Sequence, residues 1–205
     1  MDCHKCQGSC HGGKKAGGFL QFLSNKEEPI TPGQTLPQLA LVGMPNVGKS
    51  VLFNALTGTY ATVSNYPGTT VEVSRGVFRT AATELAVVDT PGMYSLLPIT
   101  DEEKVARDLL LKEPIALALH VVDGKNLGRM LPLTFQLIEA SLPVMLAVNM
   151  MDEAQQLGIE IKGDYLEKEL GIPVVTLAAA RNVGLRELKS RVAAYVESGN
   201  LSRAH

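Results

Sequence analysis

The stretch that decides the fold runs Leu39-Ala40-Leu41-Val42-Gly43-Met44-Pro45-Asn46-Val47-Gly48-Lys49-Ser50. Its first four residues are apolar and read as a short strand. Gly43 to Ser50 fits G-x-x-x-x-G-K-[ST], and Lys49 to Leu56 reads as a helix. A strand, a glycine-bounded turn and a helix in that order make a phosphate cradle. The glycines let the backbone bend and aim its N–H groups inward, where a helix N-terminus favours an anion. Lys49 is placed to neutralise β- and γ-phosphate charge, and the Ser50 hydroxyl to hold Mg²⁺. The bland alternative is a chance match in a glycine turn. The strand before and the helix after are the context that a functional loop requires.

Outward from this loop the chain alternates strands and helices. Leu39–Val42, Val71–Phe78, Glu84–Val88, Ile115–Val122, Val144–Val148 and Val174–Leu177 read as strands. Helical spacing appears at Asp101–Lys112, Leu131–Glu139, Asp164–Leu170 and Leu185–Glu197. Strands separated by helices of this length predict an α/β fold with a mostly parallel six-stranded sheet and helices on both faces. Ligands of such sheets bind beyond the carboxyl ends of the strands, where the residues below all fall.

Asp89-Thr90-Pro91-Gly92 ends an apolar strand. A carboxylate there can hold Mg²⁺ through water, and the Gly92 N–H can meet a γ-phosphate. Alone, D-x-x-G is an ordinary turn; its value comes from lying one hairpin after the phosphate loop. Between them, Asn65-Tyr66-Pro67-Gly68-Thr69-Thr70 offers a loop threonine that can complete a Mg²⁺ shell when a γ-phosphate is present. Asn149-Met150-Met151-Asp152 closes another strand. Its aspartate can accept from guanine N1–H and N2–H₂ together, a donor pair that adenine lacks, and its asparagine can reach the O6 and N7 side. Ala178-Ala179-Ala180 follows a further strand, and small residues there let backbone N–H groups approach O6. The candidate nucleotide contacts are thus Gly43, Pro45, Asn46, Val47, Gly48, Lys49, Ser50 and Val51 on the phosphate side. On the base side they are Asn149, Met150, Asp152, Ala178, Ala179 and Ala180. Taken separately, a helix cap at Asp152 and plain packing at the alanines are adequate explanations; the order of all four elements favours the joint reading.

Composition sets bounds. The chain has 205 residues, 45% of them hydrophobic and 20% charged, with a net charge of −2. That supports one sizeable core and excludes a wholly disordered chain. The balanced charge argues against a nucleic-acid binder. No apolar run reaches membrane-spanning length, and the first residues have no secretory pattern. Residues 1–37 differ from the rest: they hold six glycines, four lysines and all three cysteines and lack apolar periodicity. They read as a flexible extension before a nucleotide domain at 38–199 and a tail at 200–205. Cys3, Cys6, Cys10 and His11 form a soft-ligand cluster able to take Zn²⁺ or Fe²⁺ in a tetrahedral set. A loose tail with no fixed geometry is the alternative.

The pattern G-x-x-x-x-G-K-S, Thr, D-x-P-G, N-x-x-D resembles the small-GTPase superfamily, so the expected fold is a Ras-like P-loop GTPase. Further blocks narrow the likeness: NYPGTTVE at 65–72, PGMYSLLP at 91–98, DEEKVARDLLL at 101–111, VVDGKNLGRMLPLTFQLIE at 121–139 and IEIKGDYLEKELGIPVV at 159–175. Together they resemble the N-terminal cytoplasmic G domain of the ferrous-iron transport protein B family, over about residues 38–197. The resemblance implies GTP/GDP as ligand, with Mg²⁺ held by Ser50, Thr70 and, through water, Asp89. It implies K⁺ beside Asn46, and Lys49, Asn46, Thr70 and Gly92 as the residues that assist hydrolysis. It implies a membrane permease region in the full-length protein, small cytoplasmic Feo proteins as candidate partners, and a place on the cytoplasmic face of the bacterial inner membrane; this chain is expected to be a soluble fragment. Met93 stands where many GTPases carry the glutamine that orients water. Methionine offers no useful hydrogen bond, so slow hydrolysis stimulated by K⁺ is expected. Other departures are Thr90 where leucine is common, Gly124 where alanine is usual, and alanines in place of a base-loop serine. Two alternatives stand beside the iron-uptake switch. One is a ribosome- or RNA-linked GTPase, disfavoured by the lack of a basic surface or RNA domain. The other is a nucleotide-sensing module with a metal-binding head and incidental hydrolysis.

Overall fold

The computed structural model describes residues 36–58, 61–80 and 84–198. The cluster Cys3, Cys6, Cys10 and His11 lies outside the described residues. Within them the elements run β1 (Gln38–Val42), α1 (Lys49–Thr57), β2 (Ala61–Asn65), β3 (Glu72–Arg79), β4 (Glu84–Asp89) and α2 (Asp101–Lys112). The second half holds β5 (Ile115–Asp123), α3 (Leu127–Glu139), β6 (Val144–Asn149), α4 (Met151–Gln156), α5 (Gly163–Leu170), β7 (Val174–Thr176) and α6 (Leu185–Glu197). They form one sheet in the order β2-β3-β4-β1-β5-β6-β7, with β2–β3 and β3–β4 antiparallel and the rest parallel.

The sheet therefore has seven strands where the sequence predicts six. The extra strand is β2, whose five residues are all exposed. Ala61-Thr62-Val63-Ser64-Asn65 buries no face, so it carries no apolar alternation to read. Backbone pairing with β3 defines it. The first strand is central, and its alternation splits the core. Leu39 and Leu41 pack with Leu52, Phe53, Leu188 and Val192 on one face. Ala40 and Val42 pack with Met93, Leu110, Leu133 and Leu137 on the other. All nine residues of β5 are buried, as a parallel strand covered on both faces requires.

The outer edge of β7 is closed by side chains. The Val174 N–H donates to Glu167 at 3.0 Å, and Arg191 donates to the Val174 carbonyl at 3.2 Å and pairs with Glu167 at 2.6 Å. These contacts blunt an edge that would otherwise offer free backbone groups. α2 opens with a capping box between Thr100 and Glu103. The Glu103 carboxylate also accepts from Tyr94 N at 3.2 Å and Ile99 N at 2.8 Å, so it straps the loop after β4 onto the helix. These N–H donors, Ile99 first, hold its pKa down. α3 begins at Leu127, a turn earlier than the Leu131 start read from the sequence, and Pro132 lies inside it. The chain enters that earlier turn from a short 3₁₀ turn at Gly124–Asn126, which Asp123 caps through Lys125 N at 2.9 Å.

His120 of β5 is fully buried, with Nδ1 2.9 Å from Thr134 Oγ1 and no partner at Nε2 among the described residues. Burial first, then the Lys49 charge, lowers its pKa from 6.5 to about 3. Below pH 6.5 the unfolded chain takes up a proton that the folded chain refuses. Stability from this group is complete above 6.5 and is lost as the pH falls, with a slope approaching about 1.4 kcal/mol per pH unit. Urea unfolding between pH 6.5 and 5 is expected to show this slope and to lose it in His120→Asn. An unchanged slope in the variant contradicts the assignment.

Candidate functional site

Three loops converge beyond the ends of β1, β4 and β6. The loop after β1 curls so tightly that Asn46 has φ +64°, a left-handed conformation that asparagine tolerates. Gly48 has φ +93°, and a Cβ there would lie 2.3 Å from Asn149 Nδ2. Only glycine meets both demands. Lys49 is buried and folds back on its own loop, donating from Nζ to the carbonyls of Gly43 at 3.0 Å and Met44 at 2.8 Å. Burial lowers its pKa, opposed by the charge of Asp89.

Ser50, first-turn residue of α1, donates from Oγ to Asp89 Oδ2 at 2.8 Å. The other carboxylate oxygen, Oδ1, is buried without a partner among the described residues. Burial raises the Asp89 pKa, while Ser50 and Lys49 act to lower it. A hydroxyl and a carboxylate with an orphaned oxygen form a hard-oxygen donor set that suits Mg²⁺. Across the gap Gly92 packs on the phosphate loop so closely that a Cβ would fall 2.7 Å from the Pro45 ring.

Thr90 explains its own departure from leucine. It is buried, and its hydroxyl donates to the Leu41 carbonyl at 2.7 Å, tying β4 to β1. Met93 is fully buried in the core between the sheet and α2–α3, and its N–H donates to Gly43 O at 3.1 Å. Its side chain thus faces away from the loops. Thr70 is exposed and lines a groove between Tyr66–Val71 and α2; the neighbouring Thr69 closes that turn through Tyr66 O at 3.0 Å. Ser50 and Asp89 are brought together, and no recorded contact joins Thr70 to them.

On the other side Asn149 is buried and engaged at both ends. Nδ2 donates to Val47 O at 3.0 Å and Oδ1 accepts from Ala179 N at 3.0 Å. The sequence reading has this amide reaching for a base; the structure shows it also as a strut between two loops, using one of its two amide hydrogens. The Ala178 N–H goes to Val183 O at 3.1 Å, and Ala180 is exposed. Asp152 lies in the first turn of α4 after Met150, which has φ +59°. Its Oδ2 is 2.6 Å from Nε of Arg181. The sequence reading does not single out Arg181; its place directly after the small-residue loop is the signal that points to it. Among the described residues no group of three or more His, Cys, Asp and Glu is placed to hold a metal ion, and no helix is long and apolar enough to cross a membrane.

The fold and these loops define a G domain of the P-loop class. The chain belongs to the ferrous iron transport protein B (FeoB) family, whose family model matches residues 37–192. It is 39% identical over 171 residues to the Fe(2+) transporter FeoB of Escherichia coli, covering 82% of this chain and 22% of that protein. Among solved structures it resembles the FeoB G domain of Methanococcus jannaschii (43% identity, TM-score 0.69, 78% of this chain and 97% of that one). It also resembles the cytosolic domain of the Thermotoga maritima FeoB iron transporter in its GMPPNP form (40% identity, TM-score 0.75, 80% of this chain and 65% of that one). The chain spans about a fifth of the length of the curated relatives it matches.

Removing the Asn149 amide leaves Val47 O and Ala179 N without their partner. Asn149→Ala is expected to destabilise the fold by about 2–4 kcal/mol in urea unfolding. Gly48→Ala, which displaces the same amide, is expected to add less than its single effect in the double variant. A loss below about 0.5 kcal/mol for Asn149→Ala contradicts the strut.

Proposed function

We propose that this domain binds GTP and hydrolyses it to GDP and phosphate, as the nucleotide switch of a ferrous-iron transporter whose Fe(II) uptake follows the nucleotide state. The observation that carries this reading is the Asn149 strut. It ties the loop that would cradle phosphates to the loop beside Asp152, so a base and its phosphates meet one rigid frame. The FeoB likeness, including a relative solved in a GMPPNP form, supports the same reading.

In this account Lys49 leaves the carbonyls of Gly43 and Met44 for the β- and γ-phosphates. Pro45, Val47, Gly48 and Val51 line the phosphate path and the Gly92 N–H meets the γ-phosphate. Asp152 accepts from the guanine donor pair, the second amide hydrogen of Asn149 serves the O6 and N7 side, and Met150 and Ala178-Ala179-Ala180 flank them. Ser50 and, through water, Asp89 would hold Mg²⁺, and Thr70 of the exposed loop would complete the set when a γ-phosphate is bound. Bound Mg²⁺ supplies charge neutralisation between the phosphates. Asn46, exposed at the loop's left-handed turn, would help hold K⁺, whose chemistry there would be added positive charge where negative charge develops. With Met93 buried, the attacking water falls to the backbone of the Tyr66–Thr70 loop. The permease region of the full-length protein and small cytoplasmic Feo proteins are the partners this implies, at the cytoplasmic face of the inner membrane. Zn²⁺ or Fe²⁺ binding by Cys3, Cys6, Cys10 and His11 belongs to the same proposal.

The buried Met93 side chain also favours a second reading, a nucleotide sensor in which hydrolysis is incidental. Single-turnover GTP hydrolysis with Mg²⁺ separates the two. The switch reading expects turnover at least about tenfold faster in KCl than in NaCl, and loss of that advantage in Asn46→Ala. Equal turnover in the two salts rejects the K⁺ role, and no measurable turnover in either favours the sensor. Asp152→Asn replaces an acceptor by a donor. It is expected to weaken GDP about 100-fold or more while admitting XDP, whose C2 carbonyl accepts from the new amide. Unaltered GDP affinity rejects Asp152 as the base reader.

A further inference from the structure

The carboxylate that the proposed function assigns to guanine already has an occupant. Arg181 Nε lies 2.6 Å from Asp152 Oδ2. The loop that presents it is fixed. Arg181 ends a 3₁₀ turn at Ala179–Arg181, Asn182 follows with φ +57°, and an Ala178–Val183 bridge closes the base of the loop. The Ala179 N–H is tied to Asn149, so the turn that carries Arg181 is anchored to the same strut as the phosphate loop. Arg181 is thus delivered to Asp152 across 29 positions of sequence by a pinned turn.

The chemistry of the two possible occupants is alike. Guanine shows Asp152 an N1–H and a C2 amino group, two N–H donors on one carbon, which is a cyclic guanidine. The arginine side chain ends in an open-chain guanidinium with the same N–C–N fork and a full positive charge. We propose that Arg181 is an internal stand-in for the guanine edge, holding the base-reading carboxylate until the nucleotide displaces it. This rests on Asp152 being that carboxylate, as proposed above.

Two consequences follow for binding. Only the fraction of molecules with Arg181 swung away admits guanine, so apparent affinity is reduced by that fraction. The Arg181 side chain is 60% exposed and that of Asp152 22% exposed, so the pair is a partly solvated one whose strength is modest and falls with salt. The second consequence concerns selectivity. Guanine replaces both donors that leave with Arg181. Adenine presents an acceptor and a C–H at that edge and replaces neither, so the latch is a repulsive element against the wrong base as well as a brake on the right one.

The test uses the 205-residue chain and N-methylanthraniloyl-GDP in stopped flow, at fixed KCl with choline chloride added in steps. Arg181→Ala is expected to raise the association rate constant and the affinity about two- to fivefold, with little change in dissociation. The gap between variant and wild type is expected to narrow as choline chloride rises. Arg181→Lys, which keeps charge without the fork, is expected to fall between them. In an Asp152→Asn background read with XDP, Arg181→Ala is expected to change nothing, because the carboxylate it covers is gone. Slower or unchanged association in Arg181→Ala, or a gap insensitive to salt, overturns the stand-in. If Asp152→Asn itself leaves GDP affinity intact, the fault lies in the base-site reading; if Asp152→Asn exchanges GDP for XDP while Arg181→Ala is silent, the stand-in alone is wrong.

Discussion

Asn149 is the constraint on which the site depends. Its amide is wedged beneath Gly48, where a Cβ would come within 2.3 Å of it, and bonds one loop at Val47 O and another at Ala179 N. A primary amide can donate and accept at once, and that is the property used here. The residue ends β6, beside the end of β5 and, through β5, of β1. The sheet thereby fixes where the strut stands, and the strut fixes how far the phosphate loop lies from the loop that faces Asp152.

Around this frame the site's charged groups find partners within the chain. Lys49, buried, spends its donors on two carbonyls of its loop, and Gly43 O also takes the Met93 N–H. Burial pushes the Lys49 pKa down and the Asp89 pKa up, each opposed by the charge of the other. Both groups are therefore held in surroundings that disfavour their ionised forms. In the proposed function, a phosphate beside Lys49 and a divalent cation beside Asp89 would relieve both together. Arg181 extends the pattern to the base side, where a cation rests against the remaining carboxylate. Gly43 O is shared by Lys49 and Met93 N, at the start of the segment that Glu103 straps to α2.

What the sequence revealed follows from what short-range patterns encode. The loop from Gly43 to Ser50 was legible because glycine, lysine and serine at fixed spacing satisfy a local geometric need, and β5 because its residues are apolar except His120 and the terminal Asp123. β2 was not, since all its residues are exposed and its existence rests on pairing with β3. α4, only six residues long and entered through left-handed Met150, has too few turns to show periodicity. In the site, the types were readable and their partners were not. That Asn149 also braces two loops, and that Met93 is buried in the core, emerges only from the fold. Arg181 acquires meaning only when the fold brings it to Asp152.

The central claim is that one rigid frame grips a triphosphate and selects guanine. It is tested most directly by titrating the chain calorimetrically with GTPγS and with ATPγS in the presence of Mg²⁺ and K⁺. The account predicts saturable one-to-one binding of the guanine analogue and affinity for the adenine analogue weaker by about 100-fold or more. Comparable affinity for the two, or binding of neither, would contradict it.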